Sequence, residues 1–136
     1  MEVIKNRYEF TVIFEAENSN PNGDPDAGNM PRVDPETSMG LVTDVCLKRK
    51  IRNFVEIYKE DEPGYNILIK PDRSLNSKFA DAYTASGLEL GKKGKNSDDV
   101  KMARDYICKN YFDVRAFGAV MSTGDNPCGI VRGPVQ

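Results

Sequence analysis

From Tyr8 to Ala16 apolar and polar residues alternate. Tyr8, Phe10, Val12, Phe14 and Ala16 share one face; Glu9, Thr11 and Glu15 share the other, with Ile13 as the single apolar exception. A period of two predicts a strand with one face on a core. It runs into a segment over residues 17–37 in which Pro21, Pro25, Pro31 and Pro35 stand with Gly23 and Gly28 among Asn and Asp. Proline removes donors and glycine and asparagine favour turns, so this composition predicts a loop that sustains neither helix nor ladder. A loop of this length inside a compact domain is usually functional or disordered.

The period then becomes helical. Thr43 is suited to the N-cap and Asp44 to the first turn, and Val45, Ile51, Val55 and Tyr58 recur at near-helical spacing to about Lys59, widened by Leu47, Phe54 and Ile57. Lys48 and Arg52 are four residues apart with Arg49 and Lys50 beside them, which predicts a basic face on a core-packed helix. Further on, Glu62-Pro63-Gly64 reads as a turn and Tyr65 to Lys70 as a short strand closed by Pro71. Ser74 to Leu90 is ambiguous, with weak helical spacing in Phe79, Ala82 and Tyr83. Gly91-Lys92-Lys93-Gly94-Lys95-Asn96 reads as a flexible basic turn. Ser97 as N-cap, followed by Asp98, Asp99, Val100, Ala103, Ile107 and Tyr111, predicts a second helix ending near Asn110. Phe112 to Met121 reads as a strand, Ser122 to Pro127 as a loop, and Ile130 to Gln136 as the start of another extended segment.

The chain has 136 residues, 29% charged and 39% hydrophobic, with a formal net charge of −2, the size of one ordinary soluble domain. No run approaches the roughly 18 apolar residues of a membrane span, and the N-terminus lacks the apolar core of a signal peptide; the expected location is the cytoplasm. A weakly acidic balance argues against an overall basic coat, but the cations are clustered, and local clustering is what a nucleic-acid surface needs. Cys46, Cys108 and Cys128 form no Cys-x-x-Cys pair, and there is no histidine, which excludes the common zinc sites and points to reduced thiols. The missing histidine also removes the commonest general base.

Backbone amides of a Gly/Asn loop can cradle anions, and cations four apart on a helix can straddle successive phosphates of a single strand. Asn18, Ser19, Asn20 and Asn22 could add neutral hydrogen bonds to phosphate or ribose. Three catalytic or metal motifs fail on spacing or residue type. Gly87 and Gly91 before Lys92 are too close for a phosphate-binding loop and are followed by Lys93; Asp24, Asp26 and Asn29 lack the Asp or Asn at position 28 and the Glu at position 35 of a calcium loop. Asp125 in Gly124-Asp125-Asn126 fits ordinary turn chemistry.

Four blocks together carry a resemblance. Phe10 to Glu15, the loop Asn18 to Pro25, the helix segment Gly40 to Arg52, and Phe112 to Val120 resemble the CRISPR-associated backbone subunit of type I-C Cascade surveillance complexes, of the RAMP superfamily. The resemblance implies an α+β fold: an RNA-recognition-motif-like (ferredoxin-like) palm with inserted web and thumb elements. Its copies polymerise along a CRISPR RNA and present the guide to target DNA in antiviral defence. It also implies partners in CRISPR RNA, target DNA, copies of the chain and other Cascade subunits. It implies a protein that binds without cutting, with no catalytic residue, metal or cofactor. Carried over by position, Asn18, Asn20, Asn22, Lys48, Arg49 and Arg52 are the expected RNA-binding residues. Because family members are about twice as long, the chain is expected to be an N-terminal part of one palm. Two alternatives stand beside this reading. One is a metal-dependent ribonuclease of the type III kind using Asp24, Asp26 or Asp125; the other is a self-association module driven by open strand edges.

Overall fold

The computed structural model describes residues 5–91 and 96–135. The basic turn expected at 91–96 therefore lies mostly outside the described residues, as does Gln136. The chain is α+β and divides into two compact units, Met1–Cys46 and Leu47–Gln136.

The first unit is built around the Pro/Gly/Asn segment, and there the expectation of an unstructured loop is corrected. β1 (Gly23–Asp24) pairs antiparallel with β2 (Met30–Pro31), Gly23 opposite Pro31, across a single 3-10 turn at Pro25–Ala27. Proline serves here because it opens the 3-10 turn, where its missing N–H costs nothing. Asp24 caps that turn by accepting from the Asp26 amide, and Gly28 and Asn29 close it in the left-handed region at φ 63° and 62°. A second connection is made by the bridge Val33↔Gly40. Its turn is held by Asp34, whose carboxyl is kept below its ordinary pKa by bonds from the Glu36 amide and the Thr37 hydroxyl.

The strand expected over Tyr8–Ala16 is not formed: these residues take part in no ladder, and Tyr8, Phe10, Val12, Ile13 and Phe14 are all exposed. Alternation specifies a two-faced segment; a ladder also needs a partner edge, which local pattern does not encode.

α1 (Asp44–Tyr58) begins in the first unit and runs from Leu47 on in the second, where it is followed by α2 (Leu75–Ala85), α3 (Ser97–Asn110), α4 (Phe112–Phe117) and the hairpin β3 (Gly118–Met121) with β4 (Gly129–Arg132). Ser74 caps α2 through the Ser77 amide, which resolves the ambiguous segment as helix. Asn96 rather than Ser97 caps α3. Tyr65–Lys70 is a correction: only Asn66 bridges, in parallel, to Tyr111, and no strand forms. Phe112–Met121 is corrected in its first half, which is the short helix α4 that breaks at Gly118, φ 76°, before β3 begins.

The core gathers Leu68, Phe79, Ala82, Tyr83, Ala103, Ile107, Val114, Met121 and Cys128. The Tyr83 hydroxyl donates to the Pro127 carbonyl at 2.6 Å, so the buried ring keeps its polar end satisfied. Arg115 donates to the carbonyls of Cys108 and Lys109, two C-terminal acceptors of α3, and to that of Gly64. The three cysteines are free, and burial pushes the Cys128 thiol up to about 11, which leaves it inert.

Beneath α2, the buried Lys78 donates to the Leu68 carbonyl and to Asp72 Oδ1 at 2.6 Å. Chiefly through this bond, Asp72 is pulled down to about 2. A carboxylate depressed on folding adds stability above its ordinary pKa and loses it as pH falls through the folded value. Stability is therefore expected to drop between about pH 4 and pH 2, and Asp72→Asn to flatten this part of the profile. Urea midpoints at pH 5 and pH 2.5 check it; an equal drop in the variant would refute the assignment.

Candidate nucleic-acid interface

The helix α1 grows from a cap inside the loop unit. Thr43 Oγ1 accepts from the Cys46 amide, as its sequence position indicated, and the Thr43 amide and hydroxyl both donate to Asn22 Oδ1, at 2.9 and 3.0 Å. Asn22 spends its Nδ2 on the neighbouring Gly23 carbonyl. Its side chain is thus a bracket between the loop and the helix start. Asn20 donates across the loop to the Asn29 carbonyl at 2.7 Å, and Asn18 occupies the left-handed region at φ 49° and is exposed. Of the three asparagines, two hold the loop in shape.

The expected orientation of α1 is reversed in the structure. Val55 is its one buried residue, whereas Leu47, Ile51, Phe54, Ile57 and Tyr58 are exposed. Arg52 turns inward instead. Arg52 Nε donates to Asp113 Oδ2 at 2.9 Å, with the Arg52 side chain 12% and the Asp113 side chain 1% exposed. Asp113 also accepts the Leu68 and Ile69 amides at 2.8 and 3.0 Å. Arg52 and Lys48 lie over the same ring, Phe117, at 4.9 and 5.7 Å from its centroid. Lys48 and Arg52 thus do share a helix face. The physical reason is that Asp113 is buried, and a buried carboxylate left without a cation is costly, so Arg52 is held against it, while the aliphatic stems cover the Phe117 ring.

Arg49 spends Nη1 on the Ile69 carbonyl at 2.8 Å and lines an open groove of about 780 Å³ with Asn53, Glu56, Lys70 and Arg73. Within the groove Lys70 is paired with Glu56 and Asp72, and Arg73 with Asp81. Lys48 and Arg49 are half-buried and Lys50 is exposed. Sequence reasoning missed Asp113, which decides what Arg52 can do; it is 61 positions away and carries no local signal. It also passed over Arg32, an isolated cation in the Pro/Gly segment.

Among the described residues no group of three or more His, Cys, Asp or Glu side chains is placed to hold a metal ion, and no helix is long and apolar enough to cross a membrane.

Two comparisons with known proteins complete the description. The sequence profile described as CRISPR-associated protein Cas7 matches residues 6–136. A CRISPR-associated protein Cas7 of Haloferax volcanii is 40% identical over 123 residues, an alignment covering 86% of this chain and 33% of that protein. The chain thus spans about a third of the length of this relative.

Proposed function

The chain belongs to the Cas7 family of CRISPR-associated proteins, and from that premise we propose that it grips guide RNA in the backbone of a type I-C Cascade surveillance complex. On this reading it contributes to an RNA-recognition-motif-like palm, works in the cytoplasm beside copies of itself and other Cascade subunits, and binds without cutting. Target DNA is engaged through base pairing with the guide, so the protein holds the strand by its backbone and leaves sequence to the RNA.

The observation that carries the reading is the anchored row of cations on α1. Phe117 and the Ile69 carbonyl hold Lys48 and Arg49 in place while leaving both half-exposed. Cations fixed before the ligand arrives lose less side-chain entropy on binding. Arg52 is bonded to the buried Asp113 and serves as a strut for the row. Asn20 and Asn22 act in the same indirect way by shaping the loop, and Asn18 is the asparagine left to reach a ribose or phosphate.

Each phosphate neutralised on a single strand adds about 0.7 to the slope of log affinity against log salt. The double variant Lys48→Gln/Arg49→Gln is therefore expected to lower that slope by about 1.4 in fluorescence anisotropy with a labelled single-stranded RNA. A slope equal to that of the unaltered chain would sink the proposal.

A further inference from the structure

Asn22 precedes Gly23, and no other asparagine of the chain is followed by glycine. The backbone nitrogen after an asparagine is the nucleophile nearest that side chain's carboxamide carbon, and glycine, lacking a Cβ, leaves its approach open. Whether the two react depends on how the fold holds them. The Thr43 amide and hydroxyl both donate to Asn22 Oδ1, at 2.9 and 3.0 Å. Two preset donors on one carbonyl oxygen are the arrangement that stabilises a tetrahedral oxyanion. Asn22 Nδ2 donates to the Gly23 carbonyl at 3.1 Å, which folds the carboxamide back over the Gly23 backbone.

The main chain around the pair is fixed, since the Asn22 carbonyl accepts from the Arg32 amide at 2.9 Å and the Pro21 carbonyl from the Cys46 thiol at 3.2 Å. The ladder leaves the nucleophile unspent. Gly23 faces Pro31 as a non-hydrogen-bonded antiparallel pair, because the flanking bond runs from the Arg32 amide to the Asn22 carbonyl; the Gly23 N–H therefore points away from β2. Asn22 is half-buried and lines a cleft of about 290 Å³ with Ser19, Arg32 and Gly40, which gives base and water a way in.

The geometry points to Asn22–Gly23 as a self-modification site, at which the folded chain converts its own asparagine to an aspartyl or isoaspartyl residue. Hydroxide removes the Gly23 amide proton, and the nitrogen forms a bond to Asn22 Cγ. The resulting oxyanion at Oδ1 is held by the two Thr43 donors. It collapses with cleavage of Cγ–Nδ2, and the leaving nitrogen takes a proton from water, departs as ammonia and regenerates hydroxide. Water then opens the cyclic imide at one carbonyl or the other, so the net change is one water consumed and one ammonia released. Either product sets an oxygen, in place of the Nδ2 donor, against the Gly23 carbonyl. The isoaspartyl form also adds a methylene to the main chain beside the Arg32 bond. The bracket between the loop and the start of α1 is thereby loosened with time.

The test incubates the full chain at mildly alkaline pH, in buffer and in unfolding urea, and reads position 22 by proteolytic mapping with mass spectrometry. The folded chain is expected to convert about tenfold faster than the unfolded one, in which the same dipeptide lacks the Thr43 donors. A folded rate equal to or below the unfolded rate overturns the inference, because the pair then reacts by its sequence alone or is protected by the fold. Thr43→Val removes one of the two donors at nearly constant volume and is expected to slow the folded rate about fivefold, whereas Thr43→Ser keeps the hydroxyl and the rate. An unchanged rate in folded Thr43→Val also overturns it. Where Thr43→Val does not fold, the urea comparison on the unaltered chain decides. RNA takes no part in the test, so its outcome stands apart from the RNA-gripping reading.

Discussion

Asp113→Ala is expected to lower the folding free energy by about 3–5 kcal/mol, the usual cost of removing one partner of a buried ion pair. One carboxylate serves three donors here, Arg52 Nε and the amides of Leu68 and Ile69, so truncation leaves a guanidinium and two backbone N–H groups unpaired together. A loss of this size is a large part of the 5–15 kcal/mol typical of a domain. Arg52→Met keeps the stem over Phe117 and leaves Asp113 its two backbone donors, so its cost is expected to be about half as large. Urea unfolding of both single variants and the double variant closes the cycle. A loss under about 1 kcal/mol for Asp113→Ala would refute the account. The same pair carries a functional corollary: Arg52→Met, measured where it is folded, leaves the salt slope of RNA binding where it was.

The second large effect is expected at the open end of the β3–β4 hairpin. Gly118 and Gly133 face each other so closely that either side chain would meet backbone. A Cβ on Gly118 would stand 2.6 Å from both the Gly133 nitrogen and the Val131 oxygen, and one on Gly133 would press on the Gly118 nitrogen, the Phe117 carbonyl carbon and the Ala116 oxygen. Backbone cannot rotate away as a flexible side chain can, and Gly118 also sits at φ 76°. Gly133→Ala is expected to cost about 3 kcal/mol and Gly118→Ala at least as much, with Val120→Ala on the exposed face near neutral. Thermal unfolding of the three variants decides it; parity between Gly133→Ala and Val120→Ala would count against the packing described.

What the sequence disclosed depended on whether the deciding interaction was local. The cap of α1 was legible because Thr43 and the Cys46 amide are three residues apart, and α3 because Asp98, Asp99 and the Val100, Ala103, Ile107 row lie within one helix. Tyr8–Ala16 had a clear pattern, but its ladder partner is not specified by that pattern. Phe112–Phe117 was misread because Phe112, Val114 and Ala116 alternate with Asp113 and Arg115, a period of two too short to exclude a helix; the breaks on its flanks, at the Asn66 bridge to Tyr111 and at Gly118, settle it as helix. At the candidate site the identity of the cations was visible and their orientation was not. The reversal of α1 follows from Asp113, which lies in a different helix. The asparagines were read from the sequence as RNA ligands, and Asn22 is recognisable as a bracket only once Thr43 is folded beside it.

The reversed helix has a practical corollary in the handling of the purified chain. Its two faces answer to added salt in opposite senses: screening would loosen the proposed grip by Lys48 and Arg49, while a salting-out anion such as sulfate drives Leu47, Ile51, Phe54 and Tyr58 away from water. A wash strong enough to strip co-purifying nucleic acid is thus the condition under which the chain is most inclined to precipitate. A chaotropic salt, or nucleic-acid digestion at low ionic strength, separates the two effects.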